Sequence, residues 1–247
     1  MRKIVFAVVV AVAVAFPAAA GAASFSGIVV AKQVRRHALV VASRTGAVRV
    51  VHTHRLATRL GGRVAVRARP LQDGTFSATH VSVRGRAHRA RIHGAVVRRL
   101  RGRVLVAAGH SVLSIRTHRL FSLQDDNPGA QPGDEVDETV SIDNGDLDED
   151  QVEEVGHTQK LELEGSILSV TAPTSSKDGE IVLQVGASTI HVVVPGGMQL
   201  PSLATGQNVE LKVTLSGTTF TLVKAQDEDD DQGDDDQGDD DGGGGGD

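Results

Sequence analysis

The chain has no cysteine, tryptophan or tyrosine, and six phenylalanines are the only aromatics in its 247 residues. Without cysteine there is no disulfide framework, thiolate zinc site, iron–sulfur cluster, cysteine nucleophile or lipoprotein anchor. So few aromatics leave almost no stacking platform for bases or sugars. Beyond the N-terminal segment no run reaches membrane-spanning length, and none sustains an apolar period of 3.6.

What is present begins with an export signal. Arg2 and Lys3 precede an apolar run from Ile4 to Phe16, followed by Pro17 and the small residues Ala18 to Ser24. This order, with Ala20-Gly21-Ala22 as an A-x-A-like site, reads as a signal peptide over residues 1–23. It is expected to be helical, to be cleaved near residues 22–23, and to send the chain to the cell envelope or outside the cell. An uncleaved anchor is the rival reading, but the helix-breaking proline and the small residues favour cleavage.

The net charge of −5 conceals opposed blocks. From Ser24 to Leu120, 19 Arg and Lys32 face a single acid, Asp73, and eight of the ten histidines lie in the same stretch. From Phe121 to Glu154 there are 13 acids and no Lys or Arg. The segment Val155–Gln226 is near neutral, and Asp227–Asp247 holds 12 acids and no base.

A repeat underlies these blocks. Gly61-Gly62-Arg63-Val64 recurs as Gly133-Asp134-Glu135-Val136 and as Gly206-Gln207-Asn208-Val209, at spacings of 72 and 73. Each is followed by an alternating strand, a tight turn (Asp73-Gly74, Asn144-Gly145, Ser216-Gly217) and an apolar return strand. Upstream, each unit opens on Gly and an apolar run: Gly27-Ile28-Val29, Gly94-Ala95-Val96, Gly165-Ser166-Ile167. In Arg63-Val64-Ala65-Val66-Arg67, period-2 alternation puts valines on one side and arginines on the other. Five short strands per unit suggest an all-β chain of three tandem OB-like Greek-key barrels, an open meander being the alternative. The expected units are 24–92, 93–157 and 158–226, followed by a disordered Asp/Gly-rich tail at 227–247. In its G-x-V opening, later G-x-x-V and D-G-type turn, the chain resembles the OB-like repeat domains of unknown function in secreted bacterial proteins. The resemblance implies fold and export, and carries over no functional residues.

No G-x-S-x-G elbow, phosphate loop or dinucleotide fingerprint appears, so no catalytic residue and no cofactor is assigned. Asp143-Asn144-Gly145 matches the hairpin turn of the first unit and fails an EF-hand register, leaving only weak, diffuse Ca²⁺ binding by acidic segments. His52, His54 and His118 read as strand histidines, and no metal site is assigned. Arginine binds phosphate and carboxylate bidentately, so the basic block carries the functional expectation. Arg49, Arg63, Arg67, Arg69, Arg84, Arg98, Arg99, Arg101 and Arg103 are the candidate polyanion-binding residues. The expected protein is an exported, noncatalytic binder or scaffold engaging anionic envelope polymers nonspecifically. Partners then exclude sequence-specific nucleic acid, for want of stacking aromatics, and include no membrane span after cleavage. Pairing of basic with acidic blocks, giving a self-associating spacer, is the alternative, and a hydrolase on the same scaffold is a third.

Overall fold

The computed structural model describes residues 22–54, 56–117, 129–143, 145–185 and 188–227. Most of the signal segment, His118 and residues 228–247 of the acidic tail lie outside them. The described residues form fifteen strands and no helix. Barrel 1 comprises β1 (Ala23–Gln33), β2 (Ala38–Ala42), β3 (Val48–His52), β4 (Gly62–Pro70) and β5 (Phe76–Arg86). Barrel 2 comprises β6 (Arg89–Leu100), β7 (Arg103–Ala108), β8 (Ser111–Arg116), β9 (Asp134–Asp143) and β10 (Asp146–His157). Barrel 3 comprises β11 (Lys160–Thr171), β12 (Gly179–Val185), β13 (Ser188–Val194), β14 (Asn208–Ser216) and β15 (Thr219–Asp227). Each closes in the spatial order 1-2-3-5-4, with its third and fifth strands parallel and the other pairs antiparallel. That is the OB-like Greek-key barrel, and the open meander is set aside.

The repeated glycines account for the closure. Gly61, Gly133 and Gly206 adopt positive φ and donate their N–H to the carbonyls of Val29, Val96 and Ile167, at 2.8, 2.8 and 2.7 Å. The opening glycines are needed for space. A Cβ at Gly27, Gly94 or Gly165 would collide with the carbonyl oxygen of Ala42, Ala107 or Gln184 on the next strand. Two residues on, the first strand of every barrel carries a bulge, at Val29/Ala31, Val96/Arg98 and Ile167/Ser169. Bulges of this kind bend a strand so that it can pair on both sides of a small barrel.

Barrel 1 is filled by Val29, Leu39, Val41, Val51, Val64, Val66 and Ala68. The outward residues of its first three strands are equally apolar. Val30, Ala38, Val40, Ala42, Val48 and Val50 are buried in one cluster with the core of barrel 2. Ala95, Val97, Leu105 and Ala107 of barrel 2 join the core of barrel 3 in the same way. Barrels 1 and 2 thus each lend an outer face to the core of the next. In barrel 3 the corresponding positions are Leu168, Glu180, Val182, Gln184, Thr189 and His191, of which Leu168 is 43% exposed. One core position breaks the apolar pattern: where barrel 1 has Val66 and barrel 3 has Leu211, barrel 2 holds Glu138, 1% exposed.

Candidate polyanion-binding face and the inter-barrel junction

Barrel 1 presents three of its arginines on the outward face of β4. Val64, Val66 and Ala68 point inward from β4, so alternation sends Arg63, Arg67 and Arg69 outward, and all three are exposed. Side chains on one face of a strand recur about every 6.6 Å. Around them lie small or basic residues: Ser24 pairs with Arg67 on the β1 side, and His80 and Ser77 pair with Arg67 and Arg69 on the β5 side. Arg84 and Arg86 extend the exposed basic surface along β5. Asp73, at the adjoining turn, spends its carboxylate on the Thr75 N–H (2.8 Å) and hydroxyl (2.7 Å). Among the described residues no carboxylate pairs with Arg63, Arg67, Arg69 or Arg84. The outer face of the second and third strands, which OB folds commonly use for ligands, is covered by the following barrel in barrels 1 and 2.

The other candidate arginines are placed differently. The Arg49 guanidinium lies 4.9 Å over the Phe25 ring, and Phe25 meets Phe76 edge-on at 5.2 Å. Barrels 2 and 3 put Leu113 and Ile190 where barrel 1 puts Arg49, so in barrel 1 an arginine stacked on Phe25 takes a place that is apolar in the other two. Arg98 donates to the Thr189 carbonyl of barrel 3 at 2.7 Å, and Arg99 to the Ala130 carbonyl at 2.9 Å. Arg101 is exposed at the β6–β7 turn, and Arg103 donates to the Ser114 hydroxyl at 3.1 Å. The nine residues therefore do not form one site: Arg63, Arg67, Arg69 and Arg84 share a surface, and the rest are dispersed.

Charge pairing explains the acidic block. Segment 134–154 folds as β9 and β10 beside the arginines of its own barrel. Arg91 meets Asp137 at 2.8 Å, Arg89 meets Asp150 at 2.9 Å, and Arg116 pairs with Asp146 and, at 3.8 Å, with Asp148. Arg89, Arg91 and Arg116 are thus paired within barrel 2, while the arginines of the β4 face of barrel 1 have no such partner among the described residues.

Of the three histidines read as strand residues, His118 lies outside the described residues. β3 ends at His52, and His54 follows it in a bend. Burial, then the positive charge of Arg36, lowers the His52 pKa below its ordinary value. A grouping not read from the sequence lies where the three barrels meet. His110 Nδ1 is 2.9 Å from Glu210 Oε2 and 3.5 Å from Glu162 Oε2. Lys212 Nζ holds the other oxygen of Glu162 at 3.1 Å. From barrel 1, Arg36 pairs with Glu164, and Gln33 donates to it at 2.9 Å. The hydrogen bond to Glu210 raises the His110 pKa, with smaller upward contributions from Glu162 and Asp73. These partners stand 50 to 131 residues apart in the chain, which is why no local motif announces them.

No family model matches the chain, and no curated protein matches it. Several solved structures resemble it at low identity. Drosophila Unr CSD456 is 15% identical with a TM-score of 0.21, over 85% of this chain and 98% of that one. A multidomain protein with nucleic acid binding domains from Streptococcus pneumoniae is 12% identical with a TM-score of 0.22, over 81% and 72%. The p204 HINb domain is 11% identical with a TM-score of 0.22, over 55% and 92%. The chain is a tandem OB-like multi-barrel protein. The exclusion of sequence-specific nucleic acid is corrected by these findings, since a matched structure is described by its nucleic acid binding domains. The exclusion rested on missing stacking aromatics, which bear on base reading and leave open contacts to phosphate, for which cationic donors suffice.

Proposed function

We propose that the chain is a noncatalytic binding protein whose first barrel holds nucleic-acid backbone on the β4 face. The observation that carries this reading is the row of Arg63, Arg67 and Arg69, exposed on one strand face without carboxylate partners among the described residues. Guanidinium groups bind phosphate oxygens bidentately, and such contacts release counterions. Binding is then salt-sensitive and tolerant of sequence. Replacing all three arginines by alanine should weaken binding of a single-stranded oligonucleotide. It should also lower the slope of log K against log salt by about 2, at roughly 0.7 per phosphate contact. Unchanged affinity and slope in a folded triple variant would falsify the reading.

The export signal read from residues 1–23 favours a second reading, in which an exported chain meets anionic envelope polymers with the same arginines. Competition decides between them. An envelope polyanion that displaces the oligonucleotide at lower concentration than unlabelled oligonucleotide supports the second reading, and the reverse order supports the first.

A further inference from the structure

We propose that the junction of the three barrels binds one divalent transition-metal ion through His110, Glu162 and Glu210. The outward face of the β11–β14 pair sets Glu162 opposite Lys212 and Glu164 opposite Glu210, so three carboxylates crowd one side of barrel 3. Like charges directly opposite one another on a sheet repel, so this face calls for cations from elsewhere. The turn from β7 to β8 brings His110 onto it from barrel 2, and β1 with its following turn brings Gln33 and Arg36 from barrel 1. The ligand-bearing atoms of His110, Glu162 and Glu210 lie within 4.8 Å of one another.

A second observation concerns the carboxylate beside them. The Glu164 side chain is only 10% exposed, and although Arg36 and Gln33 hold its Oε1, its Oε2 has no hydrogen-bond partner. The Glu210 side chain is 6% exposed. One buried carboxylate oxygen beside the site, Oε2 of Glu164, is thus left without a donor, and Glu164 stands directly opposite Glu210, so a cation held by Glu210 would add positive charge next to it.

The donor set selects the class of ion. One imidazole with two carboxylates suits zinc, manganese and their neighbours, whereas calcium takes six to eight oxygens. Three protein donors leave positions free for water. Glu162 and Lys212 also line a cleft of about 560 Å³ between barrels 2 and 3, which opens a route to the site. An ion there would tie barrel 2 to barrel 3 beside the barrel 1 contact.

The test titrates the full chain separately with zinc, manganese and calcium, following binding calorimetry and the shift in Tm. The expected result is one saturable zinc or manganese equivalent per chain that raises Tm. His110→Gln and Glu162→Gln should each weaken it by more than about tenfold. His191→Gln, at the exposed pair with Glu180, should leave it unchanged. Calcium uptake by the acidic segments should be the same in all variants. Should His110→Gln fail to fold, Glu162→Gln carries the test, since that side chain is 34% exposed. Absence of saturable transition-metal binding, or binding that survives both substitutions, overturns the proposal.

Discussion

Glu138 sits where the other two barrels bury Val66 and Leu211, between Ile92 of β6 and Val152 of β10. Its Oε1 has no hydrogen-bond partner. Burial and, secondarily, the nearby charge of Glu149 push its pKa up to about 8. Between the ordinary carboxylate range and that value, the folded chain keeps a proton that the unfolded chain releases. Stability therefore falls as pH rises through this window. At 1.36 kcal/mol per unit the loss across it is roughly 5 kcal/mol. Glu138→Leu should raise Tm at pH 8 and flatten the decline from pH 5 to 8 in thermal unfolding. An equal decline in the variant would rule Glu138 out as its source. The remaining stability of barrel 2 then rests on its apolar core and on the pairs between its arginines and its acids.

Among the elements, the first strand of each barrel is the most constrained. At Gly94 an added Cβ meets the Ala107 carbonyl and the Val106 side chain, and neither is free to retreat within the ladder. Gly94→Ala should cost about 1–3 kcal/mol by denaturant unfolding, and a loss below about 0.5 kcal/mol, the ordinary surface range, counts against the steric account. Such local requirements were legible. The turns Asp73-Gly74 and Ser216-Gly217 and the in–out alternation of β4 all follow from residues close together in the chain. Strand order was not, because the parallel pairing of β3 with β5 joins Val51 to Phe76 across a connection that carries no periodic signal. Nor was the fate of the arginines. Arg91 and Asp137 are 46 residues apart, and only the β6–β9 register makes them neighbours. Composition could not tell an arginine neutralised in this way from one left open on β4.

For the whole molecule, the outer faces decide how many barrels stack. Ile28, Ala42, Val48 and Val50 of barrel 1 correspond to Ser166, Gln184, Thr189 and His191 of barrel 3. His191 also bonds Glu180 across the sheet at 2.9 Å. A repeat array needs a polar terminal face to stay soluble, and barrel 3 supplies one. Restoring the apolar set with Ser166→Ile, Gln184→Ala, Thr189→Val and His191→Val should produce concentration-dependent association in sedimentation. The native chain should sediment at one mass across the same range, and association of both would refute the capping role. The lending of faces from one barrel to the next also has a direction in time. Val40 and Val48 of barrel 1 have no cover until β6 to β10 exist, and synthesis proceeds from the N-terminus. At roughly 5–20 residues per second, the following barrel takes several seconds to emerge. For that interval the newest finished barrel carries a sticky side, whereas barrel 3, with Gln184, Thr189 and His191 in those places, does not.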